Sequence, residues 1–362
     1  MFNLMRRAAE DYDQTLICFS SNPETPPAEL LDICVEVVVV KLTGSHSRPS
    51  TDRPDVVEEF DSPAFHAALR QTIRKWRPTL VQLEFTQMAQ YAADCAPAPT
   101  ALVEHDITYD LYEQLLTLGE DWDLRRQLER WRRFETSAWN TVDRVVTMSE
   151  KDRRLIAGPQ VTTLSNGVDL ERFRPRLIEP MPANILFVGS FAHLPNLLGL
   201  EFFLNQVWPL LDDLAPTLHV IAGLRHEYFL QLHKSRADVD LRRPRIAVEG
   251  FVADVRPAYE RAAIVIAPLL ASAGTNIKVL EAMAMGKAIV STPAGVNGLD
   301  LDPGDAIITD SAEKMAAAIR ELIQSPSRRR DLELRARQTA ERRFDWNVIA
   351  SRQKEMYQLV AG

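Results

Sequence analysis

The chain has 362 residues, 46% of them hydrophobic and 25% charged, with a net charge of -8; this is the make-up of a globular protein long enough for two domains. The acidic balance argues against broad nucleic-acid binding, and three cysteines (Cys18, Cys34, Cys95) without a CxxC pair fit a reducing cytoplasm and no zinc site. No apolar run is long enough to span a bilayer, so any membrane contact is expected to be peripheral, at the inner face.

The first half opens with Phe2, Leu4, Met5 and Ala8 at helical spacing, then strands over Gln14–Ser20 and Ile33–Leu42. A doubly wound domain normally starts with a strand and a glycine loop ahead of its first helix, and neither is present. Thr43–Asp55 reads as a polar loop, Ser62–Arg77 as an amphipathic helix and Thr79–Phe85 as a strand. The strand over Pro99–Ile107 carries His105 and Asp106 to its C-terminal edge, where open α/β sheets bind ligands. Thr108–Asn140 is helical, broken near Gly119 and Asp121, with Trp122, Trp131 and Trp139 as expected packing anchors. A strand from Asp143 leads to a short helix starting at Ser149, with Glu150 and Asp152 in its first turn. Asn166-Gly167 is a turn, and the three prolines between Pro175 and Pro182 mark the domain boundary.

The second half alternates strands and helices. Strands are expected over Asn184–Phe191, Thr217–Leu224, Arg245–Val252, Ala263–Leu270, Ala288–Thr292 and Ala306–Asp310. Helices are expected between them, the first interrupted at Pro209, with a last helix over Asn347–Leu359 anchored by Phe344 and Trp346. Continuously apolar strands separated by helices imply a parallel sheet covered on both faces. Runs such as Arg328–Arg330 read as solvated faces, and so do Arg6, Arg7, Arg125 and Arg126.

Within this half, Ser272–Leu299 carries the chemistry. After a buried strand comes a small-residue loop, then a helix starting near Thr275 or Asn276, both of them cap residues, and ending at Gly286. A loop that delivers a helix N-terminus to a sheet edge offers free amides and a positive dipole end to an anion such as phosphate. Lys278 in the first turn opposes the dipole by about 0.3–1 kcal/mol, a cost that a bound phosphate would remove. Glu281 is surrounded by Leu280, Ala282, Met283 and Ala284 and needs partners; ribose hydroxyls or a neighbouring arginine would serve. An ordinary core helix with a satisfied glutamate is the plain alternative.

Four segments in this order and spacing change the balance: SNGVD..RF.P at Ser165–Pro175, FVGS at Phe187–Ser190, EGFV.DVRP.Y at Glu249–Tyr259 and GTNIKVLEAMAMGKAIVST at Gly274–Thr292. With them the chain resembles the GT-B glycosyltransferases similar to family 4, which are retaining and use nucleotide sugars. The resemblance implies two Rossmann-like domains facing across a cleft: residues 1–176 on the acceptor side, residues 177–343 binding the nucleotide sugar, and 344–362 as a helix returning to the N-terminal domain. It implies that Glu281 holds the ribose, that Gly274, Thr275 and Asn276 offer amides to the diphosphate, and that Lys278 supplies charge to it. It places Gly189 in the donor site and Val252 where the base is read by backbone, beside Asp254 and Arg256, and sets His105 near the sugar and its diphosphate. The plain reading of His105 is a strand-end histidine capped by Asp106. No metal and no cofactor are implied; a UDP- or GDP-sugar is substrate, a saccharide or lipid-linked saccharide is acceptor, and the setting is cell-envelope or exopolysaccharide synthesis. With no paired carboxylates in evidence, retention would follow from front-face attack assisted by the leaving phosphate.

Three features depart from the family pattern. Ala273 stands eight residues before Glu281, where the family's E-x7-E element has its first Glu. The loop SFAHLPN, with His193 and Asn196, lacks the usual Arg and Lys, for which Arg225 is a candidate substitute. The first strand and glycine loop are absent, and MFNLMRR matches the helix that follows them. The first and third departures leave a second expectation, a catalytically inactive nucleotide-binding or scaffold relative. A nucleotide-sugar epimerase is opposed by the SNGVD and EAMAMG segments, and a dehydrogenase by the lack of an early G-x-G-x-x-G.

Overall fold

The computed structural model describes residues 1–22, 26–42, 52–158, 160–176 and 179–361, so the loop expected over Thr43–Asp55 lies largely outside the described residues. The chain forms two compact units, Met1–Ser165 with Trp346–Gly362, and Asn166–Asp345.

In the first unit the strands are β1 (Thr15–Ser20), β2 (Glu36–Lys41), β3 (Val81–Glu84), β4 (Thr100–Glu104), β5 (Arg144–Thr147) and β6 (Val161–Thr163). All pairings are parallel, and the described strands fall into two sheets, β1-β2 and β3-β4-β5-β6. No described strand joins β1 to β3, yet Ile17 and Phe19 of β1 share one apolar core with Leu83 of β3 and with Phe65, Leu69 and Ile73. Those last three line one face of the helix Pro63–Trp76, whose N-terminus Ser62 caps by accepting from Phe65 N at 3.3 Å. The helix Trp346–Ala361 belongs to this unit: Trp346, Ile349 and Met356 pack with Val103, Val146 and Met148. The helix Phe2–Ala8 meets it, with Arg7 Nε donating to Asn347 Oδ1 at 2.7 Å.

The second unit has β7 (Asn184–Val188), β8 (Thr217–Ile221), β9 (Ile246–Glu249), β10 (Ile264–Ala267), β11 (Ala288–Ser291) and β12 (Ile307–Ile308) in one parallel sheet of order β12-β11-β10-β7-β8-β9. The chain runs from β7 outward to β8 and β9, then returns to β10 on the other side of β7. The order therefore reverses between β7 and β10, and ligands of open parallel sheets bind outside the strand C-termini at such a point. Every residue of β10 and β11 is buried, because helices cover both faces.

Several local expectations change. The helix after β7 is regular over Leu194–Phe202, widens to a π-turn over Phe203–Val207 and tightens to a 3-10 turn over Trp208–Leu214. Pro209 has no N–H to donate, so the ladder must change register there. A further helix, Pro326–Thr339, follows Ser325, which caps Arg328 N. It buries Arg329, with Nε 3.3 Å from Glu333 Oε1, so this member of the arginine run is not a solvated face. Trp131 is buried as expected, but Trp122 is 75% exposed with the Arg126 guanidinium 5.2 Å above its ring. As the first residue of its helix, Trp122 projects beyond the packed face.

The first unit also buries two carboxyl groups. Glu104 accepts from Trp139 Nε1 at 2.6 Å and from the Thr86 hydroxyl, and desolvation nevertheless pushes it up to about 7. Glu135 accepts from the amides of Thr108 (2.7 Å) and Tyr109 (3.0 Å) at a helix N-terminus; burial, then the charge of Glu104, push it up to about 8. Both raised groups bind more protons in the folded state, so their contribution is complete below about pH 4.5 and is lost as pH rises through 7 to 8. The thermal midpoint is expected to fall by a few degrees between pH 5 and 8. Glu104→Gln, whose amide can donate to the Thr86 hydroxyl, should flatten that slope in a pH series of melting curves.

Candidate active site

Because all strands of the second sheet run parallel, the loops after β7, β8, β9 and β10 emerge at one edge. They carry Gly189, Arg225, Val252 and the segment Gly274–Asn276 respectively. The helix Ile277–Ala284 starts at that edge. Asn276 holds its N-cap position but makes no side-chain cap bond. Its amide instead donates to Ser272 Oγ (3.0 Å), Gly295 O (3.0 Å) and Ala294 O (3.4 Å), bracing the loop. The capping expected of Thr275 or Asn276 is thus not made by the N-cap side chain, which ties down the preceding loop instead. Thr275 Oγ1 accepts from Asn166 Nδ2 at 2.6 Å, which binds the SNG turn to this loop. At the far end the chain leaves the helix by a Schellman pattern, Lys287 N to Ala282 O (3.0 Å) and Gly286 N to Met283 O (3.0 Å), with Gly286 at φ +58.

Lys278 is only partly buried as a residue, yet protein encloses its ammonium closely enough that desolvation pushes its pKa down to about 8. Nζ donates to Asn196 Oδ1 at 2.5 Å and lies 5.7 Å from the Phe187 ring centroid. Its partners are neutral, and no ion pair of Lys278 is among the described ones. Asn196 sits in the first turn of the helix after β7 and donates to Ser190 O at 2.8 Å. Gly189 makes room for it: a Cβ there would come 2.8 Å from the Asn196 carboxamide carbon. The structure therefore joins Gly189, Asn196 and Lys278 across the switch point, so that the asparagine of the SFAHLPN loop meets Lys278.

Glu281, one turn on, is partly buried, and desolvation pushes its pKa up against the hydrogen bond from Tyr259 and the charge of Arg172. The Tyr259 hydroxyl, on the fully buried side chain of the helix Arg256–Arg261, lies 3.0 Å from both Glu281 Oε2 and Lys278 O. Sequence reasoning passed over Tyr259, although a phenol on an otherwise apolar face needs a polar partner. Asp254 and Arg256 pair with each other (Arg256 Nη2 to Asp254 Oδ2, 2.7 Å), and Val252 packs against the core containing Tyr259 and Leu280.

Arg225 is exposed at φ +53, with its guanidinium 4.5 Å over the Tyr228 ring. It shares the sheet edge with Gly189 but has no described contact with Lys278 or Glu281. In the first unit, His105 follows β4, and its Nε2 lies 2.8 Å from Oε2 of Glu84, at the end of the adjacent strand β3. No described helix is long and apolar enough to cross a membrane, and no described group of three or more His, Cys, Asp or Glu could hold a metal ion.

Two family models match. Residues 1–172 match the model described as Glycosyltransferase Family 4, and residues 182–325 match Glycosyl transferases group 1. The chain is a group 1 glycosyltransferase of the GT-B fold, similar to family 4. Solved structures agree on the fold of this glycosyltransferase. Sucrose-phosphate synthase from Thermosynechococcus elongatus matches with TM-score 0.74 at 16% identity over 99% of this chain and 91% of that one. Anabaena HepE in complex with UDP matches with TM-score 0.67 at 15% identity over 96% and 100%. A curated relative, an uncharacterized 44.6 kDa protein in the cps region of Klebsiella pneumoniae, is 29% identical over 136 residues, which is 37% of this chain and 35% of that protein.

Tyr259→Phe removes the hydroxyl shared by Glu281 and the Lys278 carbonyl without opening a cavity. It should destabilise the chain by about 1–3 kcal/mol, the cost of leaving buried acceptors unmet, as read from a shifted denaturant midpoint at constant slope.

Proposed function

We propose that this glycosyltransferase moves a sugar with retention from a UDP- or GDP-sugar to a saccharide or lipid-linked acceptor, and that the loop-helix unit at Gly274–Glu281 is its donor site. One observation carries the reading most. A desolvated ammonium, Lys278, stands beside a helix N-terminus without a side-chain cap at the switch point, its described partners all neutral. An anion with two phosphates would satisfy the cation and the amides together. Two solved structures of Anabaena HepE are complexes with UDP and with UDP-glucose, and the Klebsiella relative is placed in a cps region, which supports a nucleotide sugar and a role in polysaccharide synthesis.

In this reading the amides of Gly274, Thr275 and Asn276 and the ammonium of Lys278 meet the diphosphate, and Glu281 accepts from the ribose hydroxyls. Tyr259 holds that carboxylate in place. Val252 offers backbone to the base, Gly189 keeps the wall beside the phosphates free of a side chain, and Arg225 adds charge at the rim. As the bond from the sugar to the β-phosphate opens, charge builds on the diphosphate, and these fixed donors stabilise it without reorganising. His105 meets the sugar. Attack on the same face, with the leaving phosphate oxygen taking the acceptor's proton, retains configuration. Ala273 favours a second reading, in which the chain binds nucleotide without transferring sugar.

A thermal-shift screen with UDP, GDP, ADP and CDP is the first test. One nucleotide should stabilise the wild type, by about 2.7 kcal/mol at 100 times its dissociation constant, and Glu281→Ala should lose the shift. No shift with any nucleotide would sink the donor-site reading, whereas protection without sugar transfer would select the second one. Affinity should also depend on pH through Lys278. Below about pH 8 its amine is already charged, and above that value nucleotide binding must take up a proton. The dissociation constant should then rise by up to about tenfold per pH unit, and in Lys278→Met this rise should disappear.

A further inference from the structure

In the first unit, a line of polar side chains ends on His105. Glu84 is the last residue of β3, and the neighbouring strand β4 ends beside it, so the side chains of Glu84 and His105 leave adjacent strand ends. Glu84 Oε2 lies 2.8 Å from His105 Nε2. The other carboxylate oxygen accepts from Gln82 Nε2 at 2.5 Å, and Gln82 Oε1 accepts from Tyr357 Oη at 2.7 Å. Tyr357 comes from the helix Trp346–Ala361, where the Tyr12 ring meets its ring edge-on at 5.5 Å.

The polarity of this line is fixed by chemistry. An ionised carboxylate only accepts, so Gln82 must turn its amide nitrogen to Glu84 and its oxygen to Tyr357, whose hydroxyl donates. At the other end Glu84 accepts from His105 only if Nε2 carries the proton. In the Nε2–H tautomer Nδ1 carries a lone pair, and no described residue hydrogen-bonds to it. Phe85 closes one face of the ring: its centroid lies 4.2 Å from that of His105, and its backbone sits at φ +74, a conformation that only strong surrounding constraints maintain.

We propose that Glu84 is a positioning residue for His105, holding the imidazole in the Nε2–H tautomer so that the Nδ1 lone pair accepts a hydrogen bond from a hydroxyl of the donor sugar. The inference rests on the reading of His105 as the residue that meets the sugar. Gln82 and Tyr357 hold the carboxylate in turn, which ties the orientation of the imidazole to the last helix of the chain.

The test uses the full chain labelled with 15N-histidine, with the tautomer read from two-bond 1H–15N couplings and the His105 signal assigned by its loss in His105→Asn. Wild type should show a protonated Nε2 and a bare Nδ1. Glu84→Ala should give a mixture of tautomers, and Glu84→Gln, whose amide oxygen still accepts, should restore the wild-type pattern. An unchanged tautomer in Glu84→Ala overturns the proposal. UDP release from UDP-glucose is the second readout: Glu84→Ala should lower kcat by about 100-fold with little change in KM, and Glu84→Gln should recover most of it. If His105→Asn releases UDP as fast as wild type, the reading of His105 fails while the tautomer result still decides the case of Glu84. If His105→Asn is slow but Glu84→Ala is not, the positioning role alone is overturned.

Discussion

The second unit is arranged around an ammonium that no described residue neutralises. Lys278 could have met a carboxylate, the usual solution for a desolvated cation. It meets a carboxamide instead, and that carboxamide is held by Ser190 O and given room by Gly189. The remaining features of this edge follow from keeping the cation available. Asn276 spends its side chain on the loop rather than on the helix cap. Glu281 is drawn to Tyr259, one turn away, rather than to Lys278. Each choice leaves Lys278 with no described carboxylate beside it, the electrostatic opposite of a core optimised for stability alone.

Much of this was legible in the sequence. The alternation of apolar strands and helices in the second half gave the parallel sheet, and the small-residue loop before Ile277 gave the helix N-terminus. The helix starts at Ser62 and Ser149 were legible because the cap that fixes a start is local, its acceptor and donor lying within three residues. What escaped was non-local. Asn196 and Lys278 are far apart in sequence, and nothing in SFAHLPN announces that its asparagine will face a lysine. Tyr259 and Glu281 meet only because two helices pack against one core. Glu84 was hidden for the same reason: the neighbour of His105 in sequence is Asp106, whereas its neighbour in space comes from the adjacent strand. Trp122 misled in the opposite direction, since its size suggested packing while its place at a helix start left it in solvent.

The two units share one local habit. In each, a residue in the segment after a strand has a positive φ that its side chain does not favour, Phe85 after β3 and Arg225 after β8. Both present a flat group stacked on a neighbour: the ring of Phe85 on His105, and the guanidinium of Arg225 on Tyr228. Strain of about 1–3 kcal/mol at such positions persists only where surroundings over-determine it, and it is commonest at binding edges. At Phe85 the over-determination is visible, since its amide still donates to Val103 O at 3.1 Å while its ring is held against the imidazole.

Ala273 sharpens what the proposed chemistry demands of the rest of the site. A carboxylate at that position would bind sugar hydroxyls as an acceptor, and an alanine methyl binds none. If the chain transfers sugar as proposed, those hydroxyls must find other acceptors. A neutral imidazole works as one only when the tautomer is fixed, because the alternative tautomer turns an acceptor into a donor at the same atom. A carboxylate behind a histidine, as Glu84 stands behind His105, is the simplest means of keeping such a neutral acceptor in register.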